Sequence, residues 1–99
     1  MNLQRSRDAD RDLMDIYLHG ATRFGIRQSE TYLEKLASCM NQVLLNPSRQ
    51  PLRMEFRPPV RLLSCGSHLL VYLLSNDGDV VIVRVLHKRM SLADWLGTS

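Results

Sequence analysis

Ninety-nine residues, 44% of them hydrophobic and 23% charged, describe an ordinary globular chain with room for one domain (1–99) and one modest core. No apolar run approaches the roughly 18 residues of a membrane helix, and Arg5, Arg7 and Arg11 lead into an acidic amphipathic stretch rather than the apolar core of a signal peptide. The net charge of +3 is unevenly placed: residues 1–46 carry six basic and six acidic side chains, residues 47–99 seven basic and four acidic. The excess therefore lies in the second half, which suits an acidic partner, nucleic acid or protein, unless it is only a solvated arginine fringe.

Asn2–Arg5 is short and reads at best as an edge strand. Ser6 is placed to cap a helix, with Asp8 and Asp10 complementing the dipole in its first turn. Ala9, Leu13, Ile16, Tyr17 and Gly20 form one apolar stripe at helical spacing, and Met14, Leu18 and Ala21 a second beside it. The helix ends near Phe24-Gly25, where glycine can take the left-handed conformation. A second helix runs from Ile26 to Leu45, burying Leu33, Leu36, Ala37, Met40, Val43 and Leu44. Asn46-Pro47 stops it, because the residue before proline is pushed out of the α region.

Pro47, Pro51, Pro58 and Pro59 make the next segment a loop, within which Leu52–Phe56 reads as a weak edge strand. Arg49, Arg53, Arg57 and Arg61 recur through it every four residues. Val60–Cys65 is a strand, joined through Gly66-Ser67 to Leu69–Ser75. Asp77-Gly78 then signals a hairpin with Val80–Leu86, since a two-residue type I′ turn needs positive φ at both central positions. That register sets Tyr72 opposite Val83 and His68 opposite His87, and a turn at Gly66-Ser67 sets Arg61 opposite Tyr72 and Cys65 opposite His68. Leu92–Leu96 forms a final helical turn. The expected fold is α+β, in the order β-α-α-β-β-β, with an N-terminal helical hairpin packed on one face of an antiparallel sheet.

On that register one sheet face holds Arg61, Leu63, Cys65, His68, Leu70, Tyr72, Val83, Val85 and His87. The other holds Val60, Leu62, Leu69, Val71, Leu73, Ile82, Arg84 and Leu86. The second is more uniformly apolar and is assigned to the helices. Two cysteines far apart in regular elements read as reduced core residues of a cytosolic protein rather than as a disulfide. Cys65, His68 and His87 share a cross-strand row, but without a fourth ligand they read as hydrogen-bonded groups rather than a metal site. No nucleotide-binding fingerprint or cofactor motif occurs.

Gly66-Ser67-His68-Leu69-Leu70-Val71-Tyr72, followed by Val81 through Leu86 and His87-Lys88-Arg89-Met90, resembles the closing hairpin of ParE-type toxins of the RelE/ParE toxin–antitoxin superfamily. Ala9, Asp12-Leu13, Ile16-Tyr17, Phe24-Gly25, Gln28, Tyr32, Asn46-Pro47 and Arg61 agree in order and spacing, so the resemblance spans about residues 5–96. Pro58-Pro59 departs from it. The RelE-like branch cleaves ribosome-bound mRNA with clustered basic residues and a tyrosine or histidine near the C-terminus. Here no tyrosine follows Arg89, and the lysines are Lys35 and Lys88 alone.

The resemblance thus implies the ParE branch: a cytoplasmic protein without catalytic residues, cofactor or metal, which inhibits DNA gyrase by binding. The alternatives are a RelE-like endonuclease and a non-toxic binding domain. It also implies a hetero-oligomer with a ParD-like antitoxin whose acidic amphipathic C-terminal segment covers the toxin. Candidate antitoxin-binding residues are Met14, Leu18, Ala21, Arg53, Arg57 and Arg61. Candidate gyrase-inhibition residues are Arg84, His87, Lys88, Arg89 and Trp95, the last either an interface anchor or a cover over Met90.

Overall fold

The computed structural model describes residues 2–90. Its elements are β1 (Leu3–Arg5), α1 (Arg7–Phe24), α2 (Ile26–Leu45), β2 (Arg61–Cys65), β3 (His68–Leu74) and β4 (Val80–His87). They form a helical hairpin on a four-stranded sheet of order β1-β4-β3-β2. β1 lies parallel to β4, so the sheet is mixed rather than purely antiparallel. No helix among the described residues is long and apolar enough to cross a membrane.

Ser6 starts α1 as expected. Its hydroxyl accepts from the Ala9 N–H at 3.0 Å and donates to the Val83 carbonyl at 2.8 Å, which ties the helix cap to β4. Gly25 joins the helices at φ 97, ψ 158, outside the left-handed helical region and in one accessible essentially to glycine. Its N–H donates to Ala21 O while its carbonyl accepts from Ser29 N, so one residue ends α1 and begins α2. The helices cross where Gly20 meets Ser29: a Cβ on Gly20 would lie 2.7 Å from Ser29 Oγ, which instead donates to the Tyr17 carbonyl. Leu36, Met40 and Val43 of α2 are buried; Ala37 is exposed, on the flank of the stripe rather than within it.

The β3–β4 turn differs from the two-residue type I′ reading. Ser75 N donates to Asp79 O and Gly78 N to Ser75 O, with positive φ at Gly78 alone, which is a three-residue loop over Asn76-Asp77-Gly78. Tyr72 consequently faces Ile82, not Val83. The register shifts between Val71 and Tyr72, and beyond that bulge the predicted pairing returns, with His68 opposite His87. The bulge lets Ile82 and Val85, three residues apart, both enter the main core.

The assignment of sheet faces was inverted except at the bulge. The helices pack on the face read as mixed, where Cys65, Leu70, Tyr72 and Val85, with Val80, meet Ala9, Leu36, Met40 and Val43; the bulge keeps Ile82 on the helix side as expected and moves Val83 to the other face. The uniformly apolar face is covered by the proline-rich loop: Phe56 and Val60 pack on Val71 and Leu86. Apolarity alone misled because both faces are covered, and the polar groups of the helix face lie where partners reach them. Tyr72 Oη donates to the Pro47 carbonyl at 3.5 Å, and Arg61 donates to the Ser48 and Gln50 carbonyls. Residues Leu52–Phe56 form no strand. An isolated bridge pairs Arg53 with Val60, and the turn between them carries the buried Phe56.

The cysteines are also corrected. Cys39 of α2 and Cys65 of β2 form a disulfide with Cα atoms 6.4 Å apart, stapling helix to sheet. Their sequence separation hid a pairing that the α2–β2 packing makes direct.

Candidate functional site

The open end of the β3–β4 hairpin gathers side chains from three elements. His68 and His87 stand opposite each other with ring centroids 5.2 Å apart, edge to face. Tyr32 of α2 reaches the same point: its hydroxyl lies 2.6 Å from His68 Nδ1 and accepts from the Ser67 N–H at 3.0 Å. Gly66 makes the approach feasible, because a Cβ there would sit 2.8 Å from Tyr32 Oη. The hydroxyl thereby ties His68 Nδ1 to the turn between β2 and β3. His87 Nδ1 accepts from the Arg89 backbone N–H at 3.0 Å. Burial holds His68 below its ordinary pKa, the neighbouring His87 adds to this, and Asp12 opposes it.

One flank of this histidine ridge is held by Asp12. β1 pairs with β4 only as far as Ile82, leaving the Val85 N–H at an open edge. Asp12 Oδ2 accepts that N–H at 2.9 Å, and the carboxylate takes Arg84 Nε and Nη2 at 2.8 and 2.9 Å. Asp12 and Arg84 thus join α1 to β4, in a shallow groove of ≈ 380 Å³ that also borders Asp8, Arg11 and Met90. On the other flank a groove of ≈ 690 Å³ runs between the helical hairpin and the sheet end, past His19, Arg23, Phe24, Lys35 and Arg89.

The candidate residues fall in different settings. Lys88 and Arg89 are exposed beyond the ridge, while Lys88 N donates to Ser67 O. Arg84 is engaged by Asp12, and Trp95 and the Leu92–Leu96 turn lie outside the described residues. Met14 and Leu18 are 57% and 54% exposed and Ala21 half-buried, so the second α1 stripe is surface rather than core. Arg53 pairs with Glu55 and lies over the Phe56 ring, Arg57 is exposed, and Arg61 is drawn to loop carbonyls. The structure therefore separates the α1 stripe from the Arg53–Arg61 group and brings neither to the histidine ridge. Cys65, in a disulfide, is no metal ligand. Among the described residues no group of three or more His, Cys, Asp or Glu is placed to hold a metal.

Sequence reasoning passed over Tyr32, Asp12 and Lys35 as contributors. Tyr32 had a signal: it sits four residues before Leu36 on the buried stripe, an aromatic with a polar tip at the stripe's sheet-end. Asp12 and Tyr32 also stood among the positions that carry the family resemblance, without a role attached, and Lys35 had no signal beyond charge.

Across residues 3–92 the chain matches the model of the ParE toxin of the type II toxin–antitoxin system parDE. The chain belongs to the ParE toxin family. Such toxins act by binding rather than by catalysing a reaction, and an antitoxin is their system partner. The chain is 40% identical to Toxin ParE1 of Mycobacterium tuberculosis over 70 residues, 71% of each protein. It is 29% identical to Toxin ParE3 of Caulobacter vibrioides over 93 residues, 94% of this chain and 92% of that one. A chain of the chromosomal ParDE TA system from P. aeruginosa shares the fold, with a TM-score of 0.77 at 19% identity, covering 88% of this chain and 95% of that one.

Proposed function

We propose that this ParE-family chain, as one domain of residues 1–99, is a cytoplasmic toxin that inhibits DNA gyrase by binding it and is neutralised by a ParD-like antitoxin. The observation that carries the reading is the family match over residues 3–92. The site is consistent with binding. Lys88 and Arg89 present exposed charge at the end of the hairpin, and the histidines behind them are anchored to the scaffold through Nδ1.

The antitoxin's amphipathic segment would lay its apolar side on Met14, Leu18 and Ala21. Acidic residues beyond it would meet Arg53, Arg57 and Arg61, mainly raising association rate and specificity. Arg84, His87 and Trp95 complete the proposed gyrase-facing set, Arg84 by holding the β4 edge to α1. The test is induction without antitoxin, followed in parallel by plasmid supercoiling, DNA-damage response and mRNA integrity. Lost negative supercoiling or a damage response with intact mRNA supports the reading; rapid ribosome-dependent mRNA cleavage with unperturbed supercoiling overturns it.

A further inference from the structure

The groove of ≈ 690 Å³ between the helical hairpin and the sheet end shares His87 and Arg89 with the gyrase-facing set proposed above but is otherwise distinct from it, and its size is that of a ligand site rather than a surface dimple. Its charge is one-sided. Arg23 comes from α1, Lys35 from α2 and Arg89 from the turn after β4, with His19 beside them, against the single carboxylate of Asp15. The first turn of α2 borders the groove with no side-chain cap and no acidic residue, so the positive end of its dipole adds to the same sign.

The groove also carries an aromatic at its mouth. Phe24 is 60% exposed, and the Arg23 guanidinium lies 5.6 Å from its ring centroid, so a π-face and a cation reach the opening together. A purely acidic peptide would use the cations but leave this ring in water. A strand with phosphates and unstacked bases uses both, since bases stack on aromatics while phosphates sit against lysine and arginine. We propose that this groove binds single-stranded nucleic acid, its phosphates on Arg23, Lys35 and Arg89 and a base on Phe24. A duplex fits less well, because its bases are not free to stack.

The proposal concerns the toxin alone, so oligonucleotide binding reads it while gyrase assays read the function above. Anisotropy of a fluorescein-labelled single-stranded DNA 12-mer, titrated with purified toxin, should show binding at 50 mM NaCl. It should weaken with salt at a log–log slope of about −2, for three cations at ~0.7 each. Arg23→Glu with Lys35→Glu should lower affinity more than tenfold, and Phe24→Ala at least fivefold, with unchanged circular dichroism. Arg7→Glu with Arg49→Glu, the same charge change on exposed residues outside the groove, should lower it less than threefold. The proposal is overturned if the wild type shows no salt-dependent binding, if both double variants lose affinity equally, or if a duplex of the same length binds as tightly. It is also overturned if a labelled glutamate-rich peptide binds in a manner abolished by the groove variant while DNA binding is not.

Discussion

Asp12 and Arg84 lie 72 residues apart in sequence, and the bidentate pair between them is the polar clamp that holds α1 against β4. Their side chains are only 14% and 19% exposed, and the same carboxylate satisfies the Val85 N–H at the open strand edge. Removing the carboxylate therefore takes away the acceptor of three N–H donors, two on Arg84 and one on the Val85 backbone. Asp12→Ala should cost about 2–3 kcal/mol, read as a fall in Tm on the order of 10 °C. A double-mutant cycle with Arg84→Ala should show positive coupling; additive losses would remove the clamp.

The Cys39–Cys65 disulfide closes a loop of sequence separation 26. On chain-entropy grounds such a cross-link contributes about 3 kcal/mol. Dithiothreitol should lower the wild-type Tm and leave Cys39→Ala with Cys65→Ala unaffected. Two free thiols titrated in the unreduced, unfolded protein would contradict the bond.

The pH response follows from His68. Its pKa is lowered in the fold, chiefly by burial, from an ordinary 6.5. The unfolded chain thus binds a proton at a pH where the fold does not. The stabilising contribution is complete above about 6.5 and is lost as pH falls through the folded value. Denaturant midpoints should drop on acidification below that point, and His68→Gln should flatten the dependence. An unchanged slope in the variant would assign the effect to another group.

Met14 and Leu18 face solvent, which predicts that Leu18→Glu leaves the fold intact and weakens antitoxin affinity at least tenfold, by calorimetry or competition. Unchanged affinity would remove the α1 stripe from the antitoxin interface.

Much of the fold was legible where a local residue decides it. Ser6, Gly25 and Asn46-Pro47 bound the helices, and the His68–His87 pairing was read correctly. That last success hides two differences that cancel: the loop over Asn76–Gly78 is one residue longer than the type I′ reading, and the bulge in β4 restores the register. A bulge has no sequence mark of its own; here Val83 offers its carbonyl to Ser6, a long-range partner. The same limit explains the inverted faces and the disulfide. Whether the loop carrying Phe56 covers a face, or Cys39 meets Cys65, depends on packing between elements rather than on periodicity within one. At the site, the exposed Lys88 and Arg89 were legible, whereas the Tyr32–His68 bond and the Asp12 clamp needed the third dimension.

The central claim is inhibition by binding through the end of the hairpin, and purified components test it most directly. Negative supercoiling of relaxed plasmid by gyrase should be inhibited by the purified toxin in a dose-dependent way. Inhibition should be restored to zero by stoichiometric antitoxin, and Lys88→Ala with Arg89→Ala should lose it while keeping Tm and antitoxin affinity. Full gyrase activity at toxin concentrations well above that of the enzyme would contradict the account.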